Sequence, residues 1–123
     1  MFNIDQMSRT PVYLQIIEQV ETFVLKDILK PNDQIPSVRN LSVSLALNPN
    51  TVQKAYSELD RRGLIYSVPG RGCFIASDAK DIINKLRRQR LTEFENITKD
   101  LLMAGISKNE LIECIESIYK KGV

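Results

Sequence analysis

The sequence predicts a mainly α-helical fold with a small β-hairpin, and three observations support that class. Apolar residues recur at spacings of three and four along most of the chain, the period of a helix with one buried face. Proline, glycine and asparagine interrupt this pattern at a few points and leave segments of ordinary helix length. One stretch, "LIYSVPGRGCFIA", departs from the helical period: β-branched and aromatic residues flank "PGRG", which is turn chemistry. With 123 residues, 43% hydrophobic and 26% charged, the chain suits one ordinary domain or a small domain with an appendage.

The first helix is expected within "RTPVYLQIIEQVETFVLKDIL". Thr10 is placed to cap it, and Pro11 suits a first helical position, where no amide donor is needed. Tyr13, Ile16, Ile17, Val20, Phe23 and Val24 line one apolar face. "KPNDQIP" breaks the pattern, and Ser37 then caps a shorter helix, "SVRNLSVSLAL", with Val38, Leu41 and Leu45 inward. Asn48 and Pro49 open a third helix that ends at Gly63, so only a tight turn separates helices two and three. The hairpin follows, with Pro69, Gly70, Arg71 and Gly72 at its tip; apart from the arginine, that tip is slim enough for its backbone to approach another surface. "DAKDIINKLRRQRLTEFENITKDLLMAG" reads as one long helix stopped by Gly105. "SKNE" is a capping box for a last helix, with Leu111, Ile112, Ile115, Ile118 and Tyr119 on its apolar face.

Several function classes fall away on composition. No apolar run approaches the ~18 residues of a membrane span, and the N-terminal residues do not read as a signal peptide. The expectation is a cytoplasmic protein with no membrane partner. The chain has no histidine, so it lacks the commonest general base and the commonest metal ligand. Its two cysteines, Cys73 and Cys114, are far apart and are expected as reduced, partly buried thiols. No paired carboxylates, Gly-rich phosphate loop or nucleophile elbow is evident, and no catalytic site, metal or cofactor is expected.

Function is written on the third helix. On a helical wheel Val52, Ala55, Tyr56 and Leu59 fall on one side, while Asn50, Gln53, Lys54, Ser57 and Arg61 fall opposite, within about 100° of one another. Any surface helix has a polar face, but this one carries mostly side chains that reach base edges and phosphates. It also stands second in a helix-turn-helix, the element that enters the major groove, and a basic hairpin follows it. Net charge is only +2, yet from Ser37 to Gly72 five cations stand against two carboxylates. Tyr56 shares the side of Val52 and Leu59 and belongs in the core. Arg61 and Arg62 are read as solvated surface, and Arg39 as either a nucleic-acid contact or half of a structural ion pair.

"QIPSVRNLSVSLALNPNTVQKAYSELDRRGLIYSVPGRGCFI" resembles the winged-helix DNA-binding domain of the GntR family of bacterial transcription regulators. Matching positions include Pro36, Ser37, Arg39, Leu41, Thr51, Val52, Ala55, Tyr56, Leu59, Gly63, Gly70, Gly72 and Phe74. Asn32 replaces a glycine often found after the proline of the preceding turn; asparagine also tolerates a left-handed backbone. The resemblance implies a winged helix-turn-helix domain over residues 8–77 and a short helical dimerisation segment over 78–123, as in the small YtrA-like subfamily. Its partner would be a double-stranded DNA operator. Ser37 and Arg39 would contact phosphate, the arginine with a base also in reach. Asn48, Asn50 and Thr51 would meet the backbone and groove floor, Gln53 and Lys54 would read base edges, and Gly70 and Arg71 would sit against the minor groove or its phosphates. YtrA-like members typically control transporter operons.

The C-terminal segment calls for a second copy. Ile83, Leu86, Phe94, Ile97, Leu101 and Ile115 belong to more apolar surface than two helices can cover, and leaving it wet would cost several kcal/mol at roughly 25 cal/mol per Å2. A homodimer covers it and would present two recognition helices to an inverted repeat. Two helices do not enclose a pocket of the ~300 Å3 that small molecules need, so any effector would have to bind at the dimer interface. The reading is thus a homodimeric repressor. A winged-helix protein-interaction module that binds no DNA, and a small enzyme using carboxylate or lysine chemistry, are the alternatives.

Overall fold

The computed structural model describes residues 1–122. Helices α1 (Val12–Leu25), α2 (Val38–Leu45), α3 (Pro49–Arg61), α4 (Ala79–Arg88), α5 (Leu91–Met103) and α6 (Lys108–Lys121) are joined by strands β1 (Gln34–Ile35), β2 (Ile65–Val68) and β3 (Gly72–Ile75). The chain divides into two compact units, one from Met1 to Leu86 and one from Arg87 onward.

The core of the first unit follows the helical period. Ile16, Ile17, Val20 and Val24 of α1, Leu41 of α2 and Val52, Ala55, Tyr56 and Leu59 of α3 are buried together with Leu64, Ile65 and Ile75 of the hairpin region. Tyr13, Phe23, Val38 and Leu45 pack at its margin. Helix α1 is shorter than expected at both ends. Pro11 stands at the cap rather than inside, and Thr10 caps nothing; its carbonyl accepts instead from the Gln15 side chain at 2.8 Å. At the other end Asp27 turns left-handed (φ 59°), and the Ile28 and Leu29 amides fold back onto the Phe23 carbonyl, so the helix stops at Leu25.

Ser37 caps α2 by accepting from the Asn40 amide at 3.0 Å, and Asn48 caps α3 by accepting from the Asn50 amide at 2.8 Å. At the end of α3 the Gly63 amide donates to the Asp60 carbonyl and the Leu64 amide to the Leu59 carbonyl, a Schellman closure with Leu59 and Leu64 both buried. The hairpin is joined by a third strand that the sequence did not announce: β1 pairs antiparallel with β3 (Gln34 with Phe74, Ile35 with Cys73), giving the sheet order β1-β3-β2. Two residues are too short a run to show alternation. Asn32 adopts the left-handed backbone expected of it (φ 66°) and accepts a hydrogen bond from the Tyr66 hydroxyl at 2.9 Å.

Two expectations for the C-terminal half are corrected. The single long helix is two, α4 and α5, separated by a turn at Gln89 and Arg90. No glycine or proline marks this break. It lies just past the boundary between the units, which falls after Leu86 within α4. Ile83, expected at a dimer interface, is fully buried with Ala79 in the core of the first unit; an α4 face committed inward has no Ile83 surface to offer a partner. The first unit accordingly runs past residue 77, to Leu86. In the second unit α5 closes on Gly105 through Ile106-to-Leu101 and Gly105-to-Leu102 hydrogen bonds, and Ser107 caps α6 by accepting from Glu110 at 3.2 Å. Leu86, Phe94, Ile97 and Ile115 remain exposed and Leu101 half-exposed. Cys73 is half-buried, but Cys114 lies exposed on α6, against the expectation of a partly buried thiol.

Candidate nucleic-acid interface

Helix α3 presents the polar stripe outward because its opposite side is consumed by the core. Val52, Ala55, Tyr56 and Leu59 are buried; Asn50, Gln53, Lys54, Ser57 and Arg61 are exposed, and Thr51 is half-exposed at the amino end. Tyr56 is a core residue as expected. Its hydroxyl donates to the Pro36 carbonyl at 2.6 Å, tying α3 to the residue before the α2 cap. Burial, and secondarily the nearby Cys73 thiol, push this hydroxyl above the ordinary tyrosine range, so it stays a neutral donor.

The exposed side chains do not all point the same way. The Gln53 amide donates along the helix to the Ser57 hydroxyl at 3.0 Å. Lys54 turns toward α1, with its ammonium 4.0 Å from the centroid of the Tyr13 ring. Tyr13, Leu14, Lys54, Ser57, Glu58, Arg61 and Arg62 line an open groove of about 440 Å3 between the two helices. At the amino end, Ser37 uses its oxygen as the cap acceptor, leaving its hydroxyl proton available to a phosphate. Arg39 is exposed beside it, and Asn48 keeps its side-chain NH2 available while its carbonyl caps α3.

The hairpin tip is built by a tight turn. The Arg71 amide donates to the Val68 carbonyl at 2.9 Å, with Pro69 and Gly70 (φ +76°) between them, the arrangement of a type II turn that needs a glycine at its third position. Gln34 of β1 donates its side-chain amide to the Arg71 carbonyl at 2.8 Å. Stacking of Tyr66 on Phe74, with centroids 5.6 Å apart, stiffens the strands behind it. Arg71 is left exposed at the tip.

The cations sort into two groups. Arg61 is held by Glu58 (Nε to Oε2, 2.8 Å), and Arg62 bridges Glu58 at 3.0 Å and the buried Glu21 of α1 at 3.4 Å. Arg61 is surface as expected, but Arg62 is a half-buried link between helices rather than a solvated charge. Hydrogen bonds from Arg61 and Arg62 hold the Glu58 carboxyl down at about 2. Among the described residues Arg39, Lys54 and Arg71 have no carboxylate partner. An internal ion pair is therefore not what Arg39 makes. The roles of Gln34 and Tyr13 are not legible in the sequence, since each acts on a residue more than thirty positions away and no local pattern reports such a pairing. No group of carboxylates and thiols able to hold a metal occurs among the described residues, and no helix is long and apolar enough to cross a membrane.

The model of the bacterial regulatory proteins of the gntR family matches residues 12–75, from the start of α1 to the end of β3. The chain is 41% identical over 119 residues to the HTH-type transcriptional repressor YtrA of Bacillus subtilis (strain 168), covering 96% of this chain and 92% of that one. A crystal structure of a transcriptional regulator from Oenococcus oeni superposes with a TM-score of 0.73 at 30% identity, over 97% of this chain and 99% of that one. The DNA-binding domain of AraR, solved in complex with operator ORE1, superposes with a TM-score of 0.52 at 28% identity, over 62% of this chain and 93% of that one. The match spans the elements that form the open face, and the relatives that share them are transcriptional regulators, not enzymes; the chain belongs to the GntR family and is a DNA-binding regulator of transcription.

Proposed function

We propose that the chain is a repressor that binds an inverted-repeat operator as a homodimer and acts in the cytoplasm. The observation that carries this reading is the sorting of charge: Arg39, Lys54 and Arg71 lack carboxylate partners, whereas Arg61 and Arg62 share Glu58. A phosphate backbone is the partner that unpaired cations spaced along one face suit. In this reading Ser37 and Arg39 hold phosphate at the start of α2, and Asn48, Asn50 and Thr51 meet the backbone and groove floor. Gln53 reads a base edge, and Gly70 and Arg71 bring the wing against the flanking minor groove.

The second copy is supported by the exposed apolar side chains of the C-terminal helices, among them Phe94, at 51% exposure, and Ile97, at 57%. Pairing these faces would set two recognition helices one or more helical turns apart. A small-molecule effector would bind where the two copies meet. Control of a transporter operon, implied by the YtrA-like resemblance, is proposed with it.

Selection of duplexes from a random pool by the purified chain tests the reading. Enrichment of a two-fold symmetric sequence is expected. Weak binding without sequence preference, even at low salt, would instead make the chain a protein-interaction module.

A further inference from the structure

We infer that Tyr13 of α1 is a positioning residue for DNA binding, its ring holding the Lys54 ammonium at the α1–α3 groove as a phosphate contact rather than a base reader. This rests on the DNA-binding reading above and departs from the family resemblance, which would set Lys54 beside Gln53 as a reader of base edges. The Lys54 ammonium lies over the ring face, 4.0 Å from its centroid, where the negative quadrupole attracts a cation. The other cations of the groove, Arg61 and Arg62, are both hydrogen-bonded to Glu58, and Ser57 accepts from Gln53. Lys54 is thus the groove's one cation without a carboxylate partner among the described residues.

Two physical arguments make it a phosphate contact. An ammonium is a compact point charge without the planar fork that reads a guanine edge, and it suits a phosphate oxygen. A lysine also has four rotatable bonds to immobilise on binding; a ring that restrains them in the free protein leaves less entropy to lose when DNA arrives. Gln53 and Lys54, adjacent in sequence, then divide the work. The amide stays over the outward face, and the ammonium reaches toward the strand that passes α1.

The test uses the full chain and the duplex that the wild-type protein selects, titrated by fluorescence anisotropy across a range of KCl concentrations. Lys54→Met is expected to reduce the slope of log K against log[salt] by about 0.9 for each copy bound, about 1.8 for the dimer, and to leave the rank order of related duplexes unchanged. Tyr13→Leu is expected to weaken binding to all duplexes roughly three- to tenfold, a loss in the range of one cation–π contact. Tyr13→Phe, which keeps the ring, should bind like the wild type. In a Lys54→Met background Tyr13→Leu should cost nothing further, because the two act as one unit. An unaltered slope or a changed rank order in Lys54→Met overturns the inference, whether or not Tyr13→Leu folds. So does an equal Tyr13→Leu loss in both backgrounds, which would mean a packing role. A wild type that selects no duplex overturns the DNA-binding reading itself.

Discussion

Gln34, in a strand of two residues, holds the carbonyl oxygen of Arg71 at 2.8 Å and so fastens the wing tip to the far edge of the sheet. The closeness depends on Gly72, whose φ of +121° disfavours any side chain and where a Cβ would lie 2.7 Å from the Gln34 amide nitrogen. Gln34→Ala should leave the fold intact and weaken duplex binding by about 1 kcal/mol, the worth of one hydrogen bond. Gly72→Ala should cost about 1–3 kcal/mol of stability as well, from backbone strain. Urea melts and duplex titrations of both variants separate the two effects; a Gln34→Ala protein that binds like wild type would show that the wing needs no such fastening.

Gln53 and Arg71 are expected to fail in different ways. Gln53→Ala should relax sequence preference at one position per half-site at a cost of about 1–3 kcal/mol. Arg71→Ala should weaken binding to every duplex and lower the salt slope by about one ion for each copy bound. Repeating the random-pool selection with each variant, and titrating each against salt, distinguishes reader from anchor.

Tyr56 joins the core of α3 to the start of α2. Tyr56→Phe keeps the ring in its buried place and removes only the 2.6 Å bond to the Pro36 carbonyl. A loss of about 1 kcal/mol in urea unfolding is expected. Because the bond precedes the Ser37 cap, weaker duplex binding should accompany it.

Glu58 gives the C-terminal turn of α3 a defined pH response. Its carboxyl is lowered from 4.5 to about 2 by Arg61 and Arg62, so the folded state favours the ionised form. The stabilisation is therefore complete above pH 4.5 and disappears as pH falls toward 2. Glu58→Gln should be less stable than wild type at neutral pH, and its stability should fall less steeply across that acid window. Parallel curves for the two proteins, followed by circular dichroism in urea, would show that the pair contributes nothing.

Phe94 and Ile97 test the second copy. Replacing either with aspartate puts a charge on an already exposed apolar face of α5, so the fold of one chain should survive. If these residues centre an interface, each substitution should cost at least about 2 kcal/mol of association, roughly thirtyfold in the dimer dissociation constant. Sedimentation equilibrium reads this directly. Ile83→Asp is the contrast, expected to unfold the first unit because that side chain is buried in its core.

Much of this molecule is written locally. Ser37, Asn48, Ser107, Gly63 and Gly70 act on backbone groups within a turn of their own position, so helix starts, helix ends and the wing turn can be read along the chain. The outward stripe of α3 is equally legible, since burying Val52, Ala55, Tyr56 and Leu59 forces Asn50 and Gln53 to the other side. The same logic places Tyr56 in the core.

Where long side chains go is another matter. Lys54 could have lain beside Gln53; the Tyr13 ring, supplied by another helix, draws it aside. Arg62 reads as surface along the chain, but Glu21 of α1 stands opposite it. Strand β1, two residues long, exists because β3 offers it a ladder, and Ile83 is buried because the core of the first unit, built mostly from residues far earlier in the chain, closes over it. Each of these outcomes is set by a partner far away in sequence, brought near when the apolar faces pack, and short-range pattern carries no record of that meeting.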